Sequence, residues 1–235
     1  MRVLLYSLVI PVCNEEGNIE PIILRLNDLI SKPSEIIFVD DGSTDRTADV
    51  IMRCAERYPH LPIICHTLPR RTGQTQALRA GIKAAQHGTI ATIDGNMKTD
   101  PKYIDELVKK FLQGVDMVVG VRHHGLRQDK KPIMTALSKV ANTVLAALFR
   151  SKVQDISSTF KIFKKQVIDP VPDRLVWKGL HRYLPLVAQF QRNNIGEISI
   201  PTTERRAGRS KYTIFKYCEL FSDLLHLYML RAFLN

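Results

Sequence analysis

The chain has 235 residues, of which 45% are hydrophobic and 24% are charged. These fractions are typical of a globular protein and exclude a disordered tail, a collagen-like repeat and a disulfide-rich miniprotein. Lysine and arginine number 34 against 23 aspartates and glutamates, which gives a formal net charge of +11. Such an excess favours polyanionic partners: nucleic acid, anionic lipid headgroups or phosphorylated substrates.

Strand-like and helix-like segments alternate through the first half of the chain. Apolar residues at helical spacing, such as Ile19, Ile22 and Ile23, predict helices between short hydrophobic runs that predict strands. The predicted strands cover 7–12, 35–40, 61–66, 89–94 and 116–121, and the predicted helices cover 15–30, 45–58, 74–87 and 101–112. This alternation with short loops predicts an α/β fold with a mostly parallel sheet and helices on both faces.

The second half is less regular. The pattern predicts an amphipathic helix over 133–149, a short strand over 197–200 and an apolar helix over 215–234, with strongly basic segments at 122–131 and 203–216. The last helix either docks on the domain or lies in a membrane interface. No charge-free apolar run reaches about 18 residues, so we expect no transmembrane helix. The four cysteines have no CxxC spacing and predict reduced thiols facing the cytosol.

Three polar clusters directly follow predicted strands, at 11–15, 40–45 and 94–96. Ligands of parallel sheets bind beyond the carboxyl ends of the strands, so we expect these clusters to form one site. Carboxylates there, Asp41 and Asp94 above all, can accept hydrogen bonds from a ribose or base, or hold a divalent ion on a diphosphate. We interpret Asn14 as a turn residue and Asp45 as a helix cap.

Common nucleotide and hydrolase motifs are absent. The sequence has no GxGxxG, no GxxxxGK[ST] and no GxSxG, which argues against a dinucleotide-binding fingerprint, a P-loop and an α/β-hydrolase. The glycine and threonine around Gln74 precede a predicted helix and could meet an anion there, but a single glycine is a weak signal.

Several segments, in this order, resemble family-2 glycosyltransferases of the GT-A fold. They are SLVIPVCNE at 7–15, IIFVDDGSTD at 36–45, GQT at 73–75, TIDGN at 92–96 and VVGVR at 118–122. The RRAGRSKY run at 205–212 is similar to the tail motif of the dolichyl-phosphate mannose synthase-like branch, the polyprenyl-phosphate glycosyltransferases.

The resemblance implies a nucleotide-diphosphate sugar donor and a polyprenyl-phosphate acceptor. It also implies which residues form the site. The expected donor-binding residues are Pro11, Cys13, Glu15, Asp40, Asp41, Asp94, Gly95, Asn96 and Arg122. The expected catalytic residues are Asp94, Lys98, Arg205 and Lys211, of which the cations meet phosphate groups.

One departure from the branch concerns metal binding. The branch normally reads D-x-D-x-Q, whereas here Asn96 and Lys98 replace the second carboxylate and the glutamine. Asparagine offers a neutral carbonyl oxygen and a protonated lysine offers no lone pair. We therefore expect a weakened Mg²⁺ or Mn²⁺ site on Asp94 and Asn96. A metal-free site in which Lys98 supplies the positive charge, and a catalytically silent relative, remain open.

The resemblance and the residues together predict an inverting hexosyltransferase. The expected organisation is a GT-A catalytic domain over 1–214, with a nucleotide-sugar-binding half at 1–122 and an acceptor-side half at 123–214, followed by a C-terminal amphipathic helix at 215–235. Basic segments and apolar helices favour a peripheral position on the cytoplasmic face of a membrane with anionic lipid. A nucleic-acid partner is not expected, because the basic run lacks interleaved aromatic residues.

Two points stay open from the sequence alone. The alternative function is a catalytically weak or silent GT-A relative that binds a nucleotide or nucleotide sugar and acts as a scaffold or regulator. The sequence also leaves the oligomeric state undecided, with a homo-oligomer among the expectations.

Overall fold

A computed structural model describes residues 4–123, 143–201 and 215–234, with only the backbone described for 123 and 215–221. The strands of the described residues are β1 Ser7–Val12, β2 Glu35–Asp40, β3 Ile63–Thr67, β4 Thr89–Thr92, β5 Met117–His123, β6 Lys161–Lys164 and β7 Ile195–Pro201. The helices are α1 Glu16–Asn27, α2 Thr47–Arg57, α3 Gln74–Ala84, α4 Ile104–Phe111, α5 at 143–149, α6 Leu184–Phe190 and α7 Phe215–Leu234.

These strands form one sheet in the order β3-β2-β1-β4-β6-β5-β7. Strands β1 to β4 are parallel, β7 is parallel to β5, and β6 runs antiparallel between β4 and β5. Because β6 is antiparallel, its first residue pairs with the last residue of β4, so that Lys161 lies opposite Thr92. Lys161 therefore sits at the edge of the sheet where β1, β2 and β4 end.

Helices cover both faces of the sheet, as predicted. One apolar layer packs α1, α2 and α4 against the sheet, and the other packs α3, α5, α6 and α7. Strand residues alternate between the layers: Val9 belongs to the second layer and its neighbours Leu8 and Ile10 to the first. The mostly parallel α/β architecture is confirmed.

The differences from the sequence prediction lie at ends of elements and in the second half. Strand β4 ends at Thr92 instead of 94, and α3 ends at Ala84 because Ala85 has extended backbone angles. Pro101 opens a 3₁₀ turn before α4, and the side chain of Asp100 caps this turn. The short elements β6 and α6 escaped prediction, since four strand residues with lysine at both ends give no clear alternation.

Some predictions fall outside the described residues. They include most of the helix predicted over 133–149, of which 143–149 is described and helical, and the basic segment at 203–214. The division into halves at residue 122 stays a prediction. Both predicted halves contribute strands to the same sheet, since β6 and β7 pair with β4 and β5.

Helix α7 docks on the body through a buried carboxylate. Asp223 is 4% exposed and accepts hydrogen bonds from Trp177 Nε1 at 2.6 Å, Tyr183 Oη at 2.8 Å and Arg182 Nη2 at 3.1 Å. Leu227 and Leu230 on the same side of the helix are fully buried. The helix therefore packs on the domain through one side, which the sequence had left undecided.

The other side of α7 is apolar and exposed. The exposed large side chains there are Leu225, Tyr228, Met229 and Phe233. In the part of the chain that the structure describes, no helix combines the length and the apolar character needed to cross a membrane.

We expect Asp223→Ala to lower the free energy of unfolding by about 3 kcal/mol, because it removes the shared acceptor of two buried donors, Trp177 Nε1 and Tyr183 Oη, and of the half-buried Arg182 guanidinium. Urea denaturation followed by circular dichroism measures this loss. The matched control is Ser222→Ala, an exposed neighbour on the same helix, which should stay within about 0.5 kcal/mol of wild type. A loss of the same size in both variants would contradict the anchoring role.

Candidate functional site

Side-chain hydrogen bonds join the loop after β1 to the loop after β2. Asn14 Oδ1 accepts a hydrogen bond from the Thr44 amide at 2.8 Å, and Ser43 Oγ accepts one from the Asn14 amide at 2.9 Å. Asn14 has a positive φ of 55°, which agrees with its interpretation as a turn residue. Asp45, the predicted cap of α2, accepts a hydrogen bond from the amide of Thr47, the first residue of the helix. The residue directly before the helix is nevertheless Arg46, so Asp45 caps from one position further out. Hydrogen bonds thus hold the two loops against each other.

The aspartates at the end of β2 are buried and hold loop backbone. Asp40, 2% exposed, accepts hydrogen bonds from the amide and hydroxyl of Ser43. Asp41, 4% exposed, accepts the Thr72 amide at 2.6 Å and the Gly73 amide at 2.8 Å. Both predicted donor-binding carboxylates are therefore engaged by neighbouring loop residues in this structure.

Gly42 directly follows these aspartates, at a position where a side chain would not fit. Its φ is +65°, and a Cβ atom would stand 2.6 Å from the backbone of Arg70 and Arg71. The loop after β2 and the loop before α3 consequently lie in direct contact, with the Asp41 carboxylate bridging them.

Asp94 follows β4 and is half-buried. Its Oδ1 accepts a hydrogen bond from Gln74 Nε2 at 2.7 Å, and its Oδ2 accepts none from another described residue. Gly95 is needed beside it, because a Cβ atom there would stand 2.4 Å from Val12 Cγ1 at the end of β1. Asp94 is thus held in place through one oxygen while the other is available to a ligand.

The loop after Asp94 is where the residues depart from the family pattern. Asn96 Oδ1 accepts the Lys98 amide at 3.1 Å, and Met97 between them has a φ of 56°. The amide oxygen proposed for a metal is therefore used within its own loop. Within 4–123, 143–201 and 215–234, no three histidine, cysteine, aspartate or glutamate side chains are grouped to hold a metal ion. Of the two predicted metal ligands, only Asp94 keeps a side-chain oxygen without a hydrogen bond from a described residue, and the weakened metal site stays a prediction.

A buried lysine stands beside Asp94. Lys161 is fully buried, and its Nζ donates a hydrogen bond to the His181 carbonyl at 3.0 Å. Burial lowers the pKa of Lys161 to about 7, although the charges of Asp94 and Asp155 oppose that shift. His181 in turn lies 2.8 Å from Thr75 Oγ1 through its Nδ1. A lysine that titrates near neutrality at a ligand site is a candidate functional group.

Arg122 is paired at the end of β5. Its Nε and Nη2 contact the two oxygens of Asp155 at 2.7 and 3.0 Å, and its Nη2 also reaches Ser157 Oγ at 3.1 Å. Burial would raise the pKa of Asp155, but the Arg122 guanidinium outweighs it and holds that pKa below its usual value. The arginine predicted to meet donor phosphate is therefore half of a bidentate ion pair.

The predicted site residues converge only in part. One small cavity brings together Pro11, Asp94 and two residues that sequence reasoning did not place there, Lys161 and His181. Its volume of about 10 Å³ is close to the lower limit for one water molecule, so it does not hold a nucleotide by itself.

The remaining predicted residues are not part of the lining of this cavity, or they lie outside the described residues. Cys13 and Glu15 are half-buried on the joined loops, and Glu15 Oε2 accepts Asn18 Nδ2 at 2.5 Å. Arg205 and Lys211 lie outside the described residues, so their roles stay predictions. Lys161 could have been suspected from a lysine within an otherwise apolar run, but only the antiparallel pairing of β6 places it beside Asp94.

The lowered pKa of Lys161 predicts a pH-dependent stability. Between about pH 7 and pH 10.5 the unfolded chain binds a proton that the folded protein has lost, so stability rises with pH. We expect wild type to gain up to about 1.4 kcal/mol per pH unit relative to Lys161→Met in this window. Urea titrations at several pH values test this, with Lys109→Met as an exposed control that should parallel wild type. Parallel curves for Lys161→Met and wild type would contradict the buried charge.

Comparison with known proteins finds a family match over the part of the chain that contains the candidate site. The model of the family described as "Glycosyl transferase family 2" matches residues 7–171, most of the chain. This range includes β1 to β6 and the loops after β1, β2 and β4.

Curated relatives extend the match. A dodecaprenyl-phosphate galacturonate synthase from Rhizobium johnstonii is 33% identical over 225 residues, 93% of this chain and 65% of that protein. An undecaprenyl-phosphate 4-deoxy-4-formamido-L-arabinose transferase from Photorhabdus laumondii is 33% identical over 93% of this chain and 66% of its own length. The chain thus spans just under two thirds of the length of these relatives.

Solved structures show the same fold. Glucosyl-3-phosphoglycerate synthase from Mycobacterium tuberculosis, crystallised with Mn²⁺, UDP and glucosyl-3-phosphoglycerate, superposes with a TM-score of 0.73. The alignment covers 97% of this chain and 79% of that chain at 21% identity. The GT-A fold is therefore confirmed, and the chain belongs to glycosyl transferase family 2.

Proposed function

We propose that this protein transfers a sugar, with inversion, from a nucleotide-diphosphate sugar to a polyprenyl phosphate. The observation that carries the proposal is a half-buried carboxylate, Asp94, beside a fully buried lysine, Lys161, at the end of β4. This pair lies in a family 2 fold whose relatives are named polyprenyl-phosphate sugar transferases and align over 93% of the chain.

The proposed reaction does not require a strong general base. A phosphate acceptor is already an anion at neutral pH, so the nucleophile needs positioning more than deprotonation. The site has to hold two anionic substrates close together and to neutralise the charge that develops on the departing diphosphate. A set of fixed cations with one well-oriented carboxylate is suited to this task.

The described residues divide these tasks among the loops. The joined loops after β1 and β2, held by Asp41 and Asn14, form the wall against which the nucleotide binds. Lys161 places a positive charge under the reacting phosphates, and Lys98 adds a second cation from the loop after β4. Arg205 and Lys211 would complete the phosphate contacts from a segment outside the described residues.

A divalent ion would bind at this site mainly through oxygens of the donor diphosphate. Asp94 Oδ2 would bind Mg²⁺ or Mn²⁺ together with oxygens of the donor diphosphate, and Asn96 would contribute a neutral oxygen after releasing Lys98. The ion supplies positive charge to the leaving diphosphate. Lys98 and Lys161 reduce the dependence on that ion, because they bring positive charge to the same region.

We further propose that the protein lies on the cytoplasmic face of an anionic membrane. The exposed apolar side chains of α7 are joined by Val144 and Leu148 on α5, and the rings of Phe149 and Tyr228 connect the two helices at 5.2 Å. The net charge of +11 favours anionic lipid over a neutral surface. A lipid-linked acceptor would be met there.

The direct test incubates purified protein with labelled nucleotide sugars and a polyprenyl phosphate, and measures lipid-linked product. We expect Asp94→Ala to lower kcat about 100-fold or more, because the charge stabilisation at the leaving group is lost. Asp49→Ala removes an exposed carboxylate from α2 and serves as the matched control with unchanged activity.

The same assay separates the enzyme from a silent relative. The second candidate function is that of a catalytically weak or silent relative that binds a nucleotide or nucleotide sugar. It is favoured by the side-chain oxygen of Asn96, which already accepts a hydrogen bond from Lys98, and by the presence of Lys98 itself. Donor binding in calorimetry without product from any donor would support a binding protein and overturn the proposed transfer. Equal kcat in Asp94→Ala and wild type would overturn the site instead.

Restoring the family pattern tests the metal. Asn96→Asp with Lys98→Gln changes the local charge by −2 beside Asp94, and crowded carboxylates repel unless a cation lies between them. We expect the double variant to need less Mn²⁺ for half-maximal activity and to lose activity in excess chelator, where wild type retains more. Identical metal curves for the two proteins would show that the loop after β4 does not face the diphosphate.

A further inference from the structure

A second cavity, of about 620 Å³, shares no lining residue with the small cavity beside Asp94. It is bounded by α4, by the turns after α5 and α6, and by the start of β7. Ile195, the first residue of β7, pairs with Met117 at the start of β5, while Arg122 stands near the other end of the same strand pair. The cavity therefore lies near the start of β5 and β7, whereas Asp94 lies beyond the carboxyl end of β4.

The lining of this cavity is cationic. Lys110 reaches it from α4, and Arg150 and Lys152 reach it from the turn after α5. Glu197 is its one acidic side chain among the described residues, so the lining has a net charge of +2. None of the three cations forms an ion pair with another described residue. Glu197 Oε1 is engaged by the Gln154 amide at 2.7 Å.

The rest of the cavity lining that bears on ligand binding is a glycine and two asparagines. Gly196 is buried beneath Lys110, and a Cβ atom at this position would stand 3.2 Å from Lys110 Cε. The glycine therefore lets the lysine stem lie across the cavity floor. Asn193 and Asn194 add amide groups to the lining. The volume is in the range of small-molecule sites.

We propose that this cavity is a second anion site that binds a phosphate group with two or more negative charges. Lysine and arginine form strong charge-assisted hydrogen bonds with phosphate oxygens, and three unpaired cations around one cavity are suited to a diphosphate or a phosphate ester. The ligand is either a free phosphate compound or an anionic lipid headgroup, which present the same chemistry.

The chain offers two matched pairs of variants for the test. Arg150 and Arg192 each follow a helix with φ of 50° and 60°, in the left-handed region that favours glycine, but only Arg150 lines the cavity. Arg150→Gly and Arg192→Gly therefore remove the same charge without straining the backbone. Lys110→Gln and Lys109→Gln form the second pair on α4, where only Lys110 lines the cavity.

Two binding measurements distinguish the sources of the phosphate. Calorimetry with inorganic diphosphate reports a free ligand, and flotation with phosphatidylcholine vesicles, with and without phosphatidylglycerol, reports a headgroup. We expect Arg150→Gly and Lys110→Gln to weaken binding about tenfold in at least one measurement, as expected for one lost charged hydrogen bond. Arg192→Gly and Lys109→Gln should keep wild-type affinity.

Each outcome is decisive for the cavity. Selective weakening of diphosphate binding assigns a free phosphate compound, and selective weakening of vesicle binding alone assigns a lipid headgroup. Equal affinities within both pairs, in both measurements, would overturn the proposal. Sugar transfer is not a readout, so the result is independent of the proposed function.

Discussion

The charge of one buried lysine has to be balanced where β4, β5 and β6 meet. Lys161 is fully buried, and the charges of Asp94 and Asp155 counter the desolvation that lowers its pKa. Arg122 in turn pairs with Asp155, so that charges of alternating sign run from β5 across β6 to the end of β4. Removing Arg122 would leave the buried Asp155 carboxylate without its bidentate partner, so the arginine and the aspartate depend on each other.

This charge arrangement is connected to the outermost helix. The Lys161 ammonium is fixed by the His181 carbonyl, and His181 belongs to the same short segment as Arg182 and Tyr183, which hold Asp223 of α7. The segment 181–183 therefore contacts both the buried side of α7 and Lys161 of the candidate site. Through this segment, the helix with the exposed apolar side is connected to a residue proposed to meet phosphate.

Much of the fold follows from local sequence patterns. Buried parallel strands such as β1 and β2 are continuous apolar runs bounded by polar turns, so their limits at residues 7–12 and 35–40 were predicted without error. The polar residues that follow them had to share one edge, because parallel strands end together. Asp94 and the joined loops were accordingly found from the chain alone.

The tertiary structure decided which partner each polar group has. Asp41 has the position expected of a ligand-binding residue, yet its carboxylate holds the backbone of Thr72 and Gly73, thirty residues later in the chain. Lys161 lies in a short strand that the sequence did not predict, and it becomes a buried lysine beside Asp94 only because β6 inserts antiparallel between β4 and β5. Local patterns determine where strands and helices form, because periodicity and turn chemistry act over a few residues. Charge pairing and burial depend on contacts between distant segments, and only the folded sheet fixes those.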